Sequence, residues 1–586
     1  MKNLKRIKTH FSKERVFILL VAIAVFCVQL RHLHELYAPW VYDDEIGYWA
    51  NAAFFAGKNW SGIMKYCQYY SFGYSILLIP LFFLNLSPVY MYKAAIVLNA
   101  FISLIPLGCS FGIIKKIFPK QNYGKYICIM LSSVLNACFL FQVQTTWTEL
   151  LLYTLTWGIA YSLVSYFCTQ RWKYIIIISF LSVYSYLVHQ RMLGIIAASL
   201  LTIILWMIIS KKVNIKHFLF FVIFFLIGLL LNSEIKQYLQ VHLWKIGSAS
   251  SVITSSNVND YGSQLIRLKM IFSSVESFIT FIEQLLAKIF YFGRASFLLI
   301  YIIIYSWIKD TITIIKNKFN KELGIEFWYK NIVLFSTLAM ILITTIFTVD
   351  GTRNDAILYG RYAEPIIGIL ILEGIYIIVN WKESKQHFFC LLTGAFFLEI
   401  VLGLLVKRNL WNITSETFGA NIISLVRYIV GNEIYLARMT IDIFVIYVAF
   451  LCISFFKKKE IFLAITAFLL IGFAYFDAEK GFDIYNLYWQ NQKKEIIDIS
   501  SRYISDDIDN IYYILSDSFN QNGNKNTLQF LFPEKNVICV DGGDEISDDT
   551  GIIFACTYDS KIEQLKEKYY YVAENTELVV MKTKKN

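Results

Sequence analysis

Long apolar runs, each broken by a short basic cluster, constrain this chain more than any other feature. A membrane-crossing helix needs ~20 mainly apolar residues, and thirteen stretches approach that length. They fall near residues ~16–36, ~88–114, ~122–144, ~149–168, ~173–188, ~192–209, ~217–232, ~281–307, ~331–349, ~364–380, ~387–405, ~438–456 and ~460–476. Of the 586 residues, 57% are hydrophobic and 17% charged, against roughly a quarter charged in soluble chains. The fold class expected is an all-α polytopic membrane protein.

Charge supports the same expectation. The net charge is +11, but the Lys and Arg gather between the apolar runs, which is a topology signal and not a nucleic-acid surface. With the N-terminus in the cytoplasm, the inner connections fall at Lys115–Lys120, Arg171–Lys173, Lys211–Lys212, Lys309–Lys321, Lys382–Lys385 and Lys457–Lys459. All are basic, as lipid bilayers select on the cytoplasmic side. The other side receives Val41–Ser71, Val143–Thr148, His189–Arg191, Asn232–Ile279, Asp350–Tyr362, Lys407–Arg438 and the tail. The basic start MKNLKRIKTHFSKER and the apolar VFILLVAIAVFCVQL lack a small-residue cleavage site, so a retained first helix is expected rather than a signal peptide.

Residues 1–480 are expected to form the membrane domain and 481–586 a soluble extracytoplasmic one. In the tail, NIYYILSD, NVICVD, GIIFACTYD and TELVVMKT read as strands, while KKEIIDISSRYI and KIEQLKEKYY read as helices. That alternation predicts a small α/β domain. Seven of the ten cysteines lie in apolar segments as packing residues. For Cys539 and Cys556, a disulfide and two buried thiols are both open. Asn232–Ile279, rich in Ser, Asn and Thr, reads as a flexible loop over the outer face.

The first external loop, about residues 37–73, carries three consecutive acids, Asp43, Asp44 and Glu45, directly after the first helix. Trp40, Tyr42, Tyr48 and Trp49 flank them and suit the membrane interface. Solvated loop acids are common, but carboxylates set beside a membrane usually serve a purpose.

Five stretches together resemble the GT-C superfamily of membrane glycosyltransferases, which includes protein O-mannosyltransferases and the lipid A aminoarabinose transferases. They are Asp44-Glu45-x-x-Tyr48, Gly73-Tyr74-Ser-Ile-Leu-Leu-Ile-Pro80, Thr145-Thr-Trp-Thr-Glu149-Leu, His189-Gln-Arg191 and Gly360-Arg361-Tyr362-x-x-Pro365. The resemblance covers about the first 370 residues, and the tail resembles no named family. It implies about thirteen membrane helices with an external C-terminal domain. It also implies transfer of a sugar from a polyprenyl-phosphate carrier to an extracytoplasmic acceptor, whether glycan, lipid or protein. A carboxylate would take the acceptor's proton, and Arg forks would bind the departing phosphate.

On that resemblance Asp44 is the expected general base. Glu45 is the second candidate, and Asp43 leaves the register open by one residue. Glu149 would hold the acceptor or a metal, or would simply sit at a helix N-terminus favoured by the dipole. Arg191, Arg361, Tyr362, His189 and Arg353 would line the donor phosphate, against the simpler reading of interfacial snorkelling for the arginines and a structural role for His189. Tyr48 and Lys58 are further first-loop candidates, and Lys65 and Arg294 weaker phosphate ones. Arg353, with Asp350, Asn354 and Asp355, reads as a loop that either covers the site or is merely solvated. Without paired His, tightly held zinc is not expected. A loosely held divalent cation, Mg or Mn, on Asp43, Asp44 and Glu149 stays open. The rival functions are a flippase or transporter of lipid-linked saccharide, a polysaccharide polymerase or ligase, and an inactive scaffold. Spans nearly free of central charge, with acids gathered on one face, favour surface chemistry over passage.

Overall fold

The computed structural model describes residues 13–39, 43–118, 123–211, 214–245, 261–316, 323–349, 356–409, 421–431, 433–508, 510–516, 523–541, 546 and 551–583. Each of the thirteen expected spans falls on helix. Among the described residues, nine helices are long and apolar enough to cross a membrane, and ten if one bent pair is a single span. Trp172–Val188 and Ile367–Val379 are shorter. The span expected near 122–144 is broken: Tyr123–Val134 stops and Ala137–Gln142 restarts, with the Asn136 side chain capping the restart by accepting from the Phe139 N–H at 3.0 Å.

Two expectations need correcting. The run at ~281–307 is not straight: Val275–Ala295 and Leu299–Lys316 meet at 105°. Phe297 and Leu298 between them adopt left-handed backbone, φ 53° and 68°, which ends the first helix. The second correction concerns the loop placed at Asn232–Ile279. The Ile215–His242 helix runs about ten residues further than expected, and Tyr261–Ile271 is also helical. The centre of that loop, 246–260, lies outside the described residues.

Sequential helices pack as antiparallel neighbours where connections are short: Glu149–Thr169 against Trp172–Val188, and Leu436–Phe455 against Lys459–Tyr485. A small hairpin, β1 (Ile429–Val430) and β2 (Glu433–Ile434), precedes the last pair. It is turned by Gly431 at φ +59°, a conformation that a Cβ disfavours.

The tail forms a five-stranded sheet from β3 (Asn510–Leu515), β4 (Asn536–Asp541), β5 (Ile552–Cys556), β6 (Tyr570–Glu574) and β7 (Leu578–Lys582), in the order β4-β3-β5-β7-β6. β3 pairs parallel with β4 and β5, while β7 pairs antiparallel with β5 and β6. Alternation assigns the two faces. Ile511, Tyr513, Val537, Cys539, Phe554 and Val580 join the main core, while Ile514, Ile553, Ala555, Val579 and Met581 pack over Leu565 of Ile562–Lys568. Two elements differ from expectation. The helix Asn524–Leu531 was unforeseen, and the end of KIEQLKEKYY is the start of β6. A Cys539–Cys556 disulfide is ruled out. Both thiols are free and buried, and β3 lies between their strands. Strands two apart are separated by ~9–10 Å, beyond disulfide reach.

The sheet unit grips the first-loop helices. The Phe530 ring meets Trp49 at 5.0 Å and Tyr92 at 6.2 Å. Trp60 donates Nε1–H to the Pro533 carbonyl at 3.1 Å. Gln490, fully buried, accepts from the Tyr37 N–H at 2.8 Å and donates to the Ala38 carbonyl at 3.0 Å. One side-chain amide thus satisfies both polarities of the backbone just ahead of the acids.

Candidate active site

Four charged side chains from four separate stretches converge. Asp44 stands in the first turn of the helix Asp43–Phe55, where a carboxylate is favoured by the helix dipole. Glu149 opens Glu149–Thr169. Arg191 lies in the one-turn helix Gln190–Met192. Arg361 follows Gly360 in the connection to Ile367–Val379. A Cβ on Gly360 would sit 2.0–2.4 Å from the Tyr291 ring, so only glycine lets the chain pass there. The Asn421 carbonyl then accepts from both the Gly360 and Arg361 N–H groups at 3.0 Å.

Arg361 is the hub. Its Nε and Nη2 reach Glu149 Oε1 and Oε2 at 2.8 and 3.2 Å, and its Nη1 reaches Asp44 Oδ2 at 2.7 Å. The guanidinium lies 3.9 Å from the centroid of the Trp147 ring. Arg191 Nη2 binds Glu149 Oε1 at 2.7 Å, with its guanidinium 4.3 Å from the Tyr362 ring centroid. Two arginines and two carboxylates balance. Such balance matters, because an uncompensated charge at this depth would be strongly destabilising.

The four are not equally accessible. Glu149 is fully buried and Arg191 and Arg361 nearly so, whereas the Asp44 side chain is 29% exposed. Asp44 Oδ1 also accepts from the Tyr70 hydroxyl at 2.9 Å. Arg191 Nε and Nη1 are buried yet have no hydrogen-bond partner among the described residues. Buried donors seldom stay unpaired, so the Arg191 fork has capacity for an anionic group.

Glu45, one residue from Asp44, points elsewhere. It is fully buried, and Oε1 accepts from the Thr146 N–H and hydroxyl at 2.5 and 2.6 Å and from the Tyr92 hydroxyl at 2.8 Å. Trp49 Nε1–H donates to the same Thr146 hydroxyl at 2.9 Å. Glu45 therefore braces the first-loop helix against 143–148. Tyr48 is buried against Tyr70 and Tyr74, with its hydroxyl 3.5 Å from that of Thr148. His189 caps its own turn, Nδ1 accepting from the Arg191 N–H at 3.3 Å, and its ring lies 5.5 Å from Tyr362.

Other candidates are placed away from the cluster. Lys58 pairs with Glu534 at 2.5 Å, Lys65 lies over the Tyr66 ring, and buried Arg294 binds Asp477 at 3.0 Å and Tyr428. The described side chains do not include Asp43, and Arg353, with Asp350, Asn354 and Asp355, lies outside the described residues. Among the described residues no group of three or more His, Cys, Asp or Glu could hold a metal. Of the expected cation set, the two described members, Asp44 and Glu149, are both engaged by Arg361. Tyr70 completes the site without a motif of its own, and Thr146 and Trp147 lie inside the Thr145–Glu149 stretch without having been singled out. The one hint to them in the sequence is aromatic density in the first loop and the Thr-Thr-Trp-Thr run.

No protein-family profile matches the sequence, and no curated protein does. Solved structures do. The chain aligns over 97% of its length with 97% of ArnT from Cupriavidus metallidurans in the apo state, at 11% identity and a TM-score of 0.52. The same protein bound to undecaprenyl phosphate aligns equally, at 12% identity and 0.52. With its apolar spans, its C-terminal sheet and this end-to-end alignment, the chain is a polytopic membrane protein that shares the fold of ArnT.

Proposed function

We propose that this chain transfers a glycosyl group from a polyprenyl-phosphate donor to an acceptor outside the cytoplasm, with inversion and with Asp44 as general base. One observation carries the assignment: Asp44 is the described carboxylate of the cluster that solvent reaches, while Glu149 is sealed in by two arginines. An acceptor hydroxyl approaching Asp44 loses its proton to the carboxylate as its oxygen attacks the anomeric carbon. The bond from that carbon to the phosphate oxygen breaks on the opposite face. The leaving phosphate needs positive charge rather than a proton, and the unpaired N–H groups of Arg191 offer it. Glu149 orients both arginines.

The lipid carrier is supported by ArnT, whose fold is shared and which has been solved with undecaprenyl phosphate. The basic connections support a cytoplasmic N-terminus and an extracytoplasmic tail. Residues 1–480 and 481–586 serve as membrane and soluble domains, the latter clamping the first loop.

The test is transfer from labelled polyprenyl-phosphate sugars to a cell-envelope fraction. Wild type transfers, and Asp44→Asn does not while still binding donor. Retained transfer by Asp44→Asn moves the base to Asp43. Absence of transfer by wild type, with lipid-linked sugar crossing vesicles, leaves the flippase.

A further inference from the structure

Away from the Arg361 cluster, a cavity of about 670 Å³ opens between Leu436–Phe455 and Lys459–Tyr485. It lies where the first of these helices starts and the second ends. Its lining includes Arg427, Arg438, Lys480, Glu479 and Asp483, with apolar Ile429, Val430 and Phe476. The same end of the bundle holds the end of the first span, since Glu479 meets Arg31 at 2.5 Å and Asn486 meets Glu35 at 2.5 Å.

The charges there divide into two sets. Arg427 is consumed by Asp442 and Asp477, at 2.8 and 2.9 Å, and Glu479 by Arg31 and His32. Arg438, Lys480 and Asp483 are exposed, and among the described residues no side-chain hydrogen bond or ion pair engages them. The uncommitted lining therefore carries a net single positive charge, with an acid beside it. Around it Val430 and Phe476 are 56% and 57% exposed, as expected of residues facing lipid chains at the end of a span.

We infer that this cavity holds the headgroup of an anionic phospholipid. A phosphodiester carries one negative charge, which Arg438 and Lys480 neutralise as cations do at membrane surfaces. Headgroup hydroxyls donate to Asp483, and the acyl chains lie along Val430 and Phe476. A zwitterionic headgroup would leave the site charged. A lipid seated here would seal the last helix pair beside the Arg294–Asp477–Arg427 network.

The experiment uses the full chain in nanodiscs of mixed phosphatidylcholine, phosphatidylethanolamine and phosphatidylglycerol, read by native mass spectrometry after release. Wild type should retain phosphatidylglycerol above its bulk share. Arg438→Ala/Lys480→Ala should lose that enrichment at least about tenfold, while Lys457→Ala/Lys458→Ala, at the opposite end of the helices, keeps it. Lys480→Gln alone, with an unchanged melting temperature, should show a partial loss, so the result does not depend on the double variant folding. Equal retention of all three lipids, unaltered enrichment in the double variant, or displacement of phosphatidylglycerol by polyprenyl phosphate each overturns the inference. None of these readouts depends on transferase activity.

Discussion

Arg361 and Glu149, 212 residues apart in sequence, are joined by two hydrogen bonds of 2.8 and 3.2 Å, and the third arm of the same guanidinium holds Asp44 at 2.7 Å. One arginine thereby sets the distance between the exposed carboxylate and the buried one. A planar fork can do this, whereas the single ammonium of lysine cannot.

Asp44 and Glu45 should separate cleanly. Asp44→Asn keeps the size and the Tyr70 contact but removes the base. Transfer should fall by ~10²–10⁴ with donor affinity retained. Glu45→Gln instead places an amide among the donors of Thr146 and Tyr92, so it should lower the melting temperature. Paired turnover and melting measurements on the two variants distinguish the roles.

Arg361→Ala should be the most damaging single change in the site. Among the described residues it leaves buried Glu149 with Arg191 alone and Asp44 with Tyr70 alone. Breaking one side of a buried ion cluster costs about 3–5 kcal/mol. A detergent melt of Arg361→Ala against Arg361→Lys should show a large loss in the first and a smaller one in the second.

Gln490→Ala should loosen the catalytic segment without touching it. The Tyr37 N–H and Ala38 carbonyl would each lose a buried partner, at roughly 1–3 kcal/mol for a group left unsatisfied. Faster amide exchange over residues 37–49, with the sheet unit's own exchange unchanged, is the expected result.

Lys493 gives the sheet unit a pH dependence. The side chain is fully buried against Thr527 at 2.6 Å. Burial pushes its ammonium down to about 7, against the opposing pull of Glu45 and Glu577. Between about pH 7 and 10.5 the unfolded chain binds the proton and the folded one does not. This lysine therefore weakens the fold most below pH 7, and stability rises as pH climbs through that window. Lys493→Met should flatten the rise, as measured by the melting temperature of the full chain from pH 6.5 to 10.

Thiol labelling offers a further check. Cys539 and Cys556 should both react on denaturation without reductant, since β3 separates them.

The sequence alone located the apolar helices, because a bilayer enforces length and apolarity on each crossing, but of the thirteen expected spans nine or ten, among the described residues, are long and apolar enough to cross. Strands β3, β4, β5 and β7 were legible for a related reason, since period-two alternation and β-branched residues are local signals. Resemblance named Asp44, Glu149, Arg191 and Arg361 within a longer list that also held Asp43, Glu45, Tyr362, His189 and Arg353. Only tertiary structure decided how they pair, that Glu45 is a brace, that Lys58 and Arg294 belong to other ion pairs, and that Tyr70 and Gln490 serve the first loop. Those choices rest on contacts between residues up to 476 positions apart, where neither spacing nor local propensity carries information. The bend at Phe297–Leu298 was hidden likewise: both residues are apolar like the helices on either side, and neither is the glycine that usually marks left-handed backbone.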